Sequence, residues 1–342
     1  MKKLMNTLYV TSEDVFLGIE GENIIVKKDE KTLMRVPIHN VEAVVTFNYV
    51  GASPALMKKC SERGVNISFF QGDRFCGRII GQENGNVILR KTQYRYSDNE
   101  SESLIIARNM ILGKVHNQRY VIERARRDYS MRLDCEKLNN ASELLKQSMV
   151  YIKNCKSLEE LRGYEGEAAT VYFRVFDELI LQNKKEFKFC GRNKRPPLDN
   201  VNALMSFVYS LLVTECAGAS YSVGLDPYVG FLHRDRPGRQ SLALDIMEEF
   251  RAPIADRFVL TLINKQEVNA KGFKKMENGA VIMDDAVRKI VLQKWQEGKK
   301  ESVMHPFLKE KVSVGLLPYI QAMLLARYLR GDINAYPPFF KK

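Results

Sequence analysis

The first quarter of the chain has short apolar segments separated by turn residues. From residue 8 to about residue 90, brief runs of β-branched and aromatic residues alternate with turns that contain Gly, Asn or Asp, as is typical of strands and hairpins. Residues 53–63 differ, because they have helical spacing and Gly64 follows where a left-handed residue commonly ends a helix. Strands resume over residues 74–89. This pattern predicts a small β-rich N-terminal domain with one helix, over residues 1–96.

The pattern changes to a helical one from Ser101 onward. Apolar residues recur at three- and four-residue spacing with few prolines, and Ser157 with Glu160 has the spacing of a capping box. Ser241 is a candidate N-cap for a helix that Pro253 would end. The fold class is therefore predicted as α+β, with a larger all-α C-terminal domain over residues 97–342, which contains the candidate catalytic residues considered below. Helices are predicted over residues 157–181, 201–214, 241–252, 253–264, 284–298 and 316–330.

The charge balance of the chain is strongly basic. The 342 residues include 53 Lys and Arg against 41 Asp and Glu, which gives a formal net charge of +12. This excess favours nucleic acid or another polyanion as partner, although a basic protein without such a partner would have it too. No run approaches the roughly 18 apolar residues that span a bilayer, and the N-terminus does not fit a signal peptide. We therefore expect a cytoplasmic protein without membrane contact, whose scattered cysteines are reduced.

A glutamate lies on the apolar face of the helix predicted over residues 157–181. Ala168 and Ala169 follow Glu165 by three and four places, and Tyr172 follows a turn later, so this carboxylate is expected on the buried side. A buried carboxylate needs a partner, because leaving it unpaired costs several kcal/mol or forces it to take up a proton. A functional carboxylate and a salt-bridged structural one fit this local pattern equally well.

The segment over residues 230–250 contains the densest set of candidate metal ligands. His233 ends an apolar approach, and Asp245 and Glu248 lie one turn apart on the helix that begins near Ser241. An imidazole and helix-borne carboxylates could form part of a Mg²⁺ or Mn²⁺ site, with water completing the coordination. An ordinary charged surface would give the same local pattern, so this segment does not establish a metal site by itself.

Basic residues accompany these candidates along the chain. In residues 107–132, His116, Arg119 and Arg126 lie near one another at helical spacing, on a surface that would meet phosphates or solvent. A basic loop over residues 184–199 could lie along a sugar-phosphate backbone. The aromatic and basic tail, residues 334–342, would dock on a partner or fray. The residues predicted to bind DNA are Arg162, Arg192, Lys194, Arg195, Arg234, Arg236 and Arg239.

Four motifs in fixed order resemble a known family. They are Leu161-Arg-Gly-Tyr-Glu-Gly-Glu, Asn202-Ala-Leu-Met-Ser-Phe-Val-Tyr, Gly230-Phe-Leu-His, and Ser241-Leu-Ala-Leu-Asp-Ile-Met-Glu-Glu-Phe-Arg-Ala-Pro. Together they are similar to the core CRISPR-associated adaptation endonuclease and integrase, which inserts new spacers into CRISPR arrays. The pattern is closest to the form found with compact type I systems. Each motif is weak singly, whereas their combination is specific.

The resemblance implies a function and a site. It implies a homodimer with catalytic residues Glu165, His233, Asp245 and Glu248, of which Glu165, His233 and Asp245 hold Mg²⁺ or Mn²⁺ while Glu248 is an auxiliary acid. Such a site would cut DNA, or join the 3′-hydroxyl ends of short DNA fragments into a repeat array by transesterification. The implied partners are double-stranded and branched DNA and a small second core CRISPR adaptation protein.

Two other functions remain compatible with these residues. A structure-specific repair nuclease that acts on branched DNA would use the same chemistry without a partner protein or a repeat preference. A non-catalytic DNA-binding scaffold would keep the carboxylates as structural groups, and EDTA would then remove no activity.

Overall fold

The computed structural model describes residues 6–10, 12, 14–47, 50–71, 74–79 and 87–342. Sheets and helices together confirm the predicted α+β class. The chain divides into two compact units, and the division falls after Asn84, whereas the sequence placed it after residue 96. The first unit comprises Met1–Asn84, Leu292–Glu301 and Ser313–Gly315, and the second comprises Gly85–Val291, Ser302–Val312 and Leu316–Lys342.

Two sheets form the regular β-structure described in the first unit. Their strands are β1 Asn6–Val10, β2 Phe16–Glu20, β3 Asn23–Lys28, β4 Lys31–Pro37, β5 Val41–Thr46, β6 Asn66–Gln71 and β7 Arg74–Ile79. One sheet has the order β1-β5-β6-β7, in which β1, β5 and β6 are parallel and β7 is antiparallel to β6. The other is the antiparallel meander β2-β3-β4. Their alternating apolar residues supply the core.

The helix predicted in this unit is α1, Pro54–Arg63. Its start is capped by the Ser53 hydroxyl, which accepts the Leu56 N–H at 3.1 Å. Its end is closed by Gly64, whose φ of +68° is unfavourable for residues with a Cβ. Fully buried side chains from the sheets and the helix form the core of this unit, among them Leu17, Ile24, Leu56 and Ile67.

The second unit is predominantly helical. Its helices are α2 Val87–Asp98, α3 Glu100–Asp128, α4 Cys135–Asn154, α5 Leu158–Arg174, α6 Asn200–Ser222, α7 Ser241–Phe250, α8 Arg257–Asn264, α9 Asp285–Lys299 and α10 Leu317–Leu329. Residues of α9 from Leu292 onward belong to the first unit. The short antiparallel pair β8 Phe273–Lys275 and β9 Val281–Met283 also lies in the second unit, so the prediction of an all-α second domain is wrong in this detail.

The helix α6 is long and apolar, although the sequence analysis expected no apolar run long enough to span a bilayer. By length and composition it is long enough to cross a membrane, but 67% of its apolar window is buried inside the structure. It packs against α7 and α10. It has the burial expected of the central helix of a folded domain.

Three predicted element bounds are wrong. Val87 begins α2, so the strand pattern predicted to residue 89 ends earlier; residues 80–86 of that run lie outside the described residues. The N-cap of α7 is Gln240, whose side chain makes no capping hydrogen bond, and the Ser241 hydroxyl donates to the Arg234 carbonyl at 3.4 Å. Pro253 does not end the helical path, because Arg251–Asp256 forms a π-helical turn that leads into α8. A π turn accommodates the missing proline N–H without breaking the chain direction.

The C-terminal tail docks on its own helical unit. The carboxylate of Glu249, on α7, is fully buried and accepts hydrogen bonds from the Tyr336 hydroxyl and, at 2.6 Å, from the Phe339 N–H. The Asn117 amide on α3 donates to the Phe339 carbonyl at 2.8 Å. The tail therefore neither frays nor is left for a partner over these residues. The tail thus contacts both α3 and α7.

Candidate functional site

The carboxylate of Asp245 organises the loop that precedes α7. Its Oδ2 accepts the N–H groups of Phe231 at 2.6 Å and Leu232 at 3.0 Å, and its Oδ1 accepts the N–H of His233 at 3.1 Å. The same Oδ1 lies 2.5 Å from the His233 Nδ1. Asp245 is fully buried, and four hydrogen bonds occupy its acceptor positions. It holds the loop in one conformation and fixes the His233 ring.

Gly230 allows this close approach of loop and helix. A Cβ at this position would lie 2.7 Å from the Asp245 Oδ2 and 2.8 Å from the Ser241 carbonyl carbon, which no real Cβ contact tolerates. The glycine of the Gly230-Phe-Leu-His motif is thus explained by space for the Asp245 carboxylate rather than by backbone dihedral freedom.

The orientation of His233 leaves one ring nitrogen available. Because the Asp245 carboxylate can only accept, we assign the proton to Nδ1 from the hydrogen-bond network. The Nε2 lone pair is then free, and the side chain is 18% exposed. A metal-ligating histidine usually donates its second nitrogen to a carboxylate in this way, since that bond fixes the tautomer and the ring orientation.

The ammonium of Lys114 lies between two carboxylates. Lys114 is on α3 and is 3% exposed, and its Nζ forms a short hydrogen bond with the Glu165 Oε1 on α5. The same Nζ lies 2.8 Å from the Glu248 Oε2 on α7. This α7 carboxylate is 3% exposed, and its Oε1 lies 3.2 Å from an Arg251 guanidinium nitrogen. The helices α3, α5 and α7, with the turn that follows α7, therefore bring two carboxylates and two cationic side chains together.

One oxygen of this cluster depends on Lys114 alone. The Glu248 Oε2 is buried and lies 2.8 Å from the Lys114 Nζ, and it has no other partner among the described residues. Glu165, at 28% side-chain exposure, opens the same cluster toward solvent. A buried carboxylate oxygen with an unfilled acceptor position can take a further cation.

Charges around Glu248 keep it ionised. Burial alone would raise its pKa, but Arg251, Lys114 and, more weakly, His233 lower it, and the net pKa is well below the ordinary value for Glu. Burial likewise opposes the charge on Lys114, yet the carboxylates of Glu248 and Glu165 raise its pKa above the ordinary value for Lys. Glu248 and Lys114 therefore keep their charges at neutral pH.

A second group of charges adjoins the cluster through Arg251. The guanidinium carbons of Arg192 and Arg251 lie 5.2 and 5.0 Å from the ring centroid of Tyr209, which is a cation–π arrangement. The Tyr209 and Tyr172 hydroxyls donate to the Asp256 carboxylate at 2.6 and 3.1 Å. Burial raises the pKa of Asp256 to about 6 despite these donors. This layer stiffens the wall of the site behind Glu248.

The structure assigns the predicted DNA-binding residues to two classes. Arg162 donates from Nε and from a terminal nitrogen to the Leu232 carbonyl, so it supports the His233 loop. Arg192 donates to Asn202 and lies over Tyr209, inside the fold. The others offer charge nearer to solvent: Lys194, Arg195, Arg234 and Arg236 are exposed and Arg239 is half-buried. Arg234 also pairs with Glu159 at 3.0 Å.

The phosphate-facing surface considered for α3 is occupied by internal contacts. His116 packs against Phe340, with ring centroids 4.8 Å apart, and its Nε2 lies 3.1 Å from the Lys341 carbonyl oxygen. Arg119 donates to the Ser142 hydroxyl at 2.9 Å, and Arg126 pairs with Glu123. These side chains hold α3 to α4 and to the tail.

Sequence reasoning missed Lys114 and Arg251. A signal for Lys114 was present, because residues three and four places away on each side of it include the buried Met110, Ile111 and Asn117. A lysine on such a face must reach a partner, since an unpaired buried charge is very costly. The identity of that partner required knowledge of how α3 packs against α5 and α7.

The predicted ligand set is not gathered as three ligands of one ion. His233 lies against Asp245, whereas Glu165 lies with Glu248 on either side of Lys114. Among the described residues, no group of three or more His, Cys, Asp or Glu side chains is placed to hold a metal ion. The ligand assignment made from the sequence stays a prediction.

Two close relatives share nearly the whole chain. The CRISPR-associated endonuclease Cas1 1 of Chlorobaculum tepidum is 46% identical over 340 residues, with 99% of each chain covered. The CRISPR-associated endonuclease Cas1 2 of Rhodospirillum rubrum is 46% identical over 347 residues, with 100% of each chain covered.

Solved structures show the same fold at lower identity. A casposase bound to an integration product superposes with a TM-score of 0.83 at 21% identity, covering 96% of this chain and 92% of that chain. A Cas6-RT-Cas1–Cas2 complex gives a TM-score of 0.81 at 20% identity, covering 100% of this chain and 37% of that chain. The model of the family described as CRISPR associated protein Cas1 matches residues 8–297. This chain therefore belongs to the Cas1 family, as its four motifs predicted.

Proposed function

We propose that this protein is a metal-dependent DNA endonuclease and integrase of CRISPR adaptation, which joins 3′-hydroxyl ends of short DNA fragments into a repeat array by transesterification. The observation that carries the proposal is the pairing of Glu165 and Glu248 through Lys114, in the same helical unit as a histidine that the Asp245 carboxylate orients. The relatives at 46% identity are named endonucleases, and a structure with the same fold is a casposase bound to an integration product.

The donor set fits a hard divalent cation, Mg²⁺ or Mn²⁺. Glu165 and Glu248 supply carboxylate oxygens, and the His233 Nε2 supplies a nitrogen that moves the preference toward Mn²⁺. The buried Glu248 Oε2, whose one partner among the described residues is the Lys114 ammonium, marks a position where the fold already favours positive charge. The ligands we propose are therefore Glu165, Glu248 and His233.

Asp245 has a different role in this proposal from the one implied by the sequence. Its four acceptor positions are filled by three loop N–H groups and the His233 ring, so it orients the histidine instead of ligating the ion. Glu248, which the resemblance made an auxiliary acid, takes its place as a ligand. The two acids of α7 thus exchange the roles expected for them.

The chemistry is displacement at a phosphodiester. A bound divalent cation would polarise the phosphoryl oxygen and lower the pKa of the attacking hydroxyl. The attacking oxygen forms a bond to phosphorus, the bond from phosphorus to the 3′-oxygen breaks, and that oxygen takes up a proton. Water as nucleophile gives a nick, whereas a DNA 3′-hydroxyl gives strand transfer at the same residues.

The remaining residues position the DNA. Lys194, Arg195, Arg234, Arg236 and Arg239 present positive charge near the His233 loop and the 192–195 loop, which suits phosphate contacts without base readout. Arg162 and Arg192 act indirectly, since they hold the loop and the wall of the site. We extend the proposal to a cytoplasmic homodimer that works on double-stranded and branched DNA with a small second adaptation protein. The Cas1–Cas2 complex among the similar folds supports that partner.

The test is a joining assay with matched variants. A short duplex with free 3′ ends is incubated with a supercoiled plasmid that carries the repeat, with Mn²⁺ or EDTA, and with or without the partner. We expect repeat-directed joining that needs metal and partner, and that Glu165→Ala abolishes while DNA binding persists. Cutting of branched DNA without a partner or a repeat preference would favour the repair nuclease. DNA binding with no EDTA-sensitive reaction would favour the scaffold.

A further inference from the structure

We propose that Lys114 is an internal counter-cation that competes with the divalent metal for Glu165 and Glu248. The inference rests on the proposed metal site and assigns a role to a residue that the reaction itself does not require. In the metal-free protein the ammonium occupies the position between the two carboxylates, and the metal must displace it to bind. Lys114 would thus be a positioning residue that keeps the two acids paired until metal arrives.

The burial of Lys114 indicates that its position is built into the fold. The residue is 3% exposed and lies midway along α3, between Gly113 and the fully buried Val115. The preceding turn supplies the apolar Met110 and Ile111, and the following turn supplies the buried amide of Asn117. No carboxylate lies on this face of α3 one turn away, so the ammonium reaches across to α5 and α7 for its partners.

The two carboxylates depend on this ammonium to different extents. Glu248 also contacts Arg251 at 3.2 Å, so it keeps a cationic partner without Lys114. Glu165 is contacted by Lys114 and by no other cation within ion-pair distance among the described residues. Removing Lys114 would leave two like charges facing one another in a poorly solvated space, which is unfavourable unless another cation replaces it.

A divalent cation and an ammonium satisfy this pair of acids in the same way, by placing positive charge between the oxygens. They cannot occupy one position together, since their mutual repulsion adds to the overlap. Metal binding therefore includes the cost of moving Lys114, and the apparent affinity of the wild-type protein is lower than that of a site with the same ligands and a neutral residue 114. The competition lowers metal affinity while it stabilises the metal-free fold.

The experiment is a thermal-unfolding titration of the full chain with Mn²⁺ alone, without DNA. We compare the wild type with Lys114→Met, which keeps length and apolar volume but removes the charge. We expect Lys114→Met to melt at a lower temperature than wild type in EDTA, and Mn²⁺ to raise its melting temperature more. Its apparent dissociation constant for Mn²⁺ should fall by on the order of tenfold.

Two further variants control for charge and for stability. Lys114→Arg keeps the cation and should restore an affinity close to wild type. Lys137→Met removes a surface lysine that pairs with Glu178 at 2.6 Å, so it makes the same substitution in the same unit away from the site. It should leave the response to Mn²⁺ unchanged.

The outcomes separate the two proposals. If wild type binds Mn²⁺ and Lys114→Met binds it equally or more weakly, the competition is refuted while the metal site stands. If Lys114→Met fails to fold in EDTA and folds in Mn²⁺, the competition is supported, whereas failure to fold in both conditions refutes it. If neither wild type nor any variant responds to Mn²⁺, the metal site of the proposed function is itself wrong.

Discussion

Two acids on α7, Asp245 and Glu248, have different kinds of partner. On the loop side, Asp245 is satisfied by three backbone N–H groups and an imidazole, and on the α3 side, Glu248 is satisfied by the cations Lys114 and Arg251. Backbone N–H groups cannot move away from Asp245, so its carboxylate stays hydrogen-bonded to the loop. Side-chain cations can be replaced by another cation, so the Glu248 carboxylate can bind a metal ion in their place. In the proposed site, the type of partner, rather than burial, separates Asp245, which orients His233, from Glu248, which is proposed to bind the metal.

A third acid extends the comparison. Glu249 faces the tail, and burial raises its pKa to about 8 even though Tyr336, Phe339 and Gln321 donate to it. Neutral donors thus do not offset the cost of burying this charge, whereas two cations hold the pKa of Glu248 well below its usual value. Adjacent residues on one helix therefore differ in charge state because they face different elements.

The largest expected effect comes from neutralising Glu248, whose partners are side-chain cations. Glu248→Gln removes the proposed ligand charge but keeps the side-chain shape and leaves the Asp245 loop untouched. We expect the rate of strand joining to fall by roughly 10³-fold, on the scale of losing a group that stabilises transition-state charge, with DNA affinity within a few-fold of wild type. The plasmid-joining assay and a binding titration measure the two quantities. Wild-type joining by Glu248→Gln would remove Glu248 from the ligand set.

Substitution of Asp245 should give a smaller and different effect. In Asp245→Asn the new amide cannot accept from the Phe231 and Leu232 N–H groups as well as orient His233, so the loop loosens. We expect metal affinity to fall by roughly 10- to 100-fold, with joining partly restored by excess Mn²⁺. A Mn²⁺ titration of the joining rate checks this. If saturating Mn²⁺ restored nothing, Asp245 would be a ligand, as the sequence analysis held.

The smallest expected effect concerns Asp256, which accepts hydrogen bonds from the neutral hydroxyls of Tyr172 and Tyr209 and is not one of the proposed ligands. Its folded pKa of about 6 is above the ordinary value of 3.8, so its contribution to stability is full at low pH and is lost as the pH rises through about 6. We expect wild type to lose on the order of 2 kcal/mol between pH 4.5 and 7 relative to Asp256→Asn. Urea unfolding at several pH values measures this difference. An unchanged difference across that range would show that Asp256 is ionised throughout.

Much of the fold and part of the site could be predicted from local patterns. Ser53 and Gly64 marked the ends of α1, Ser157 marked the start of α5, and the spacing of apolar residues placed Glu165 on an inward face. These features depend on interactions within a few residues of the chain, such as a hydroxyl on the next turn's N–H. The predicted helix bounds were wrong where tertiary packing determined the path of the chain, as at Pro253, where the helical path continues through a π turn.

The sequence by itself determined the α+β class and the family, and it supplied the acids and the histidine from which the metal site is proposed. Tertiary structure alone decided which acid of α7 meets backbone donors, which meets Lys114, and that the tail covers Glu249. The physical reason is that helical periodicity fixes which residues share a face but not what that face contacts. The partners of α7 come from α3, α6, α10 and the tail, which packing brings together from distant parts of the chain.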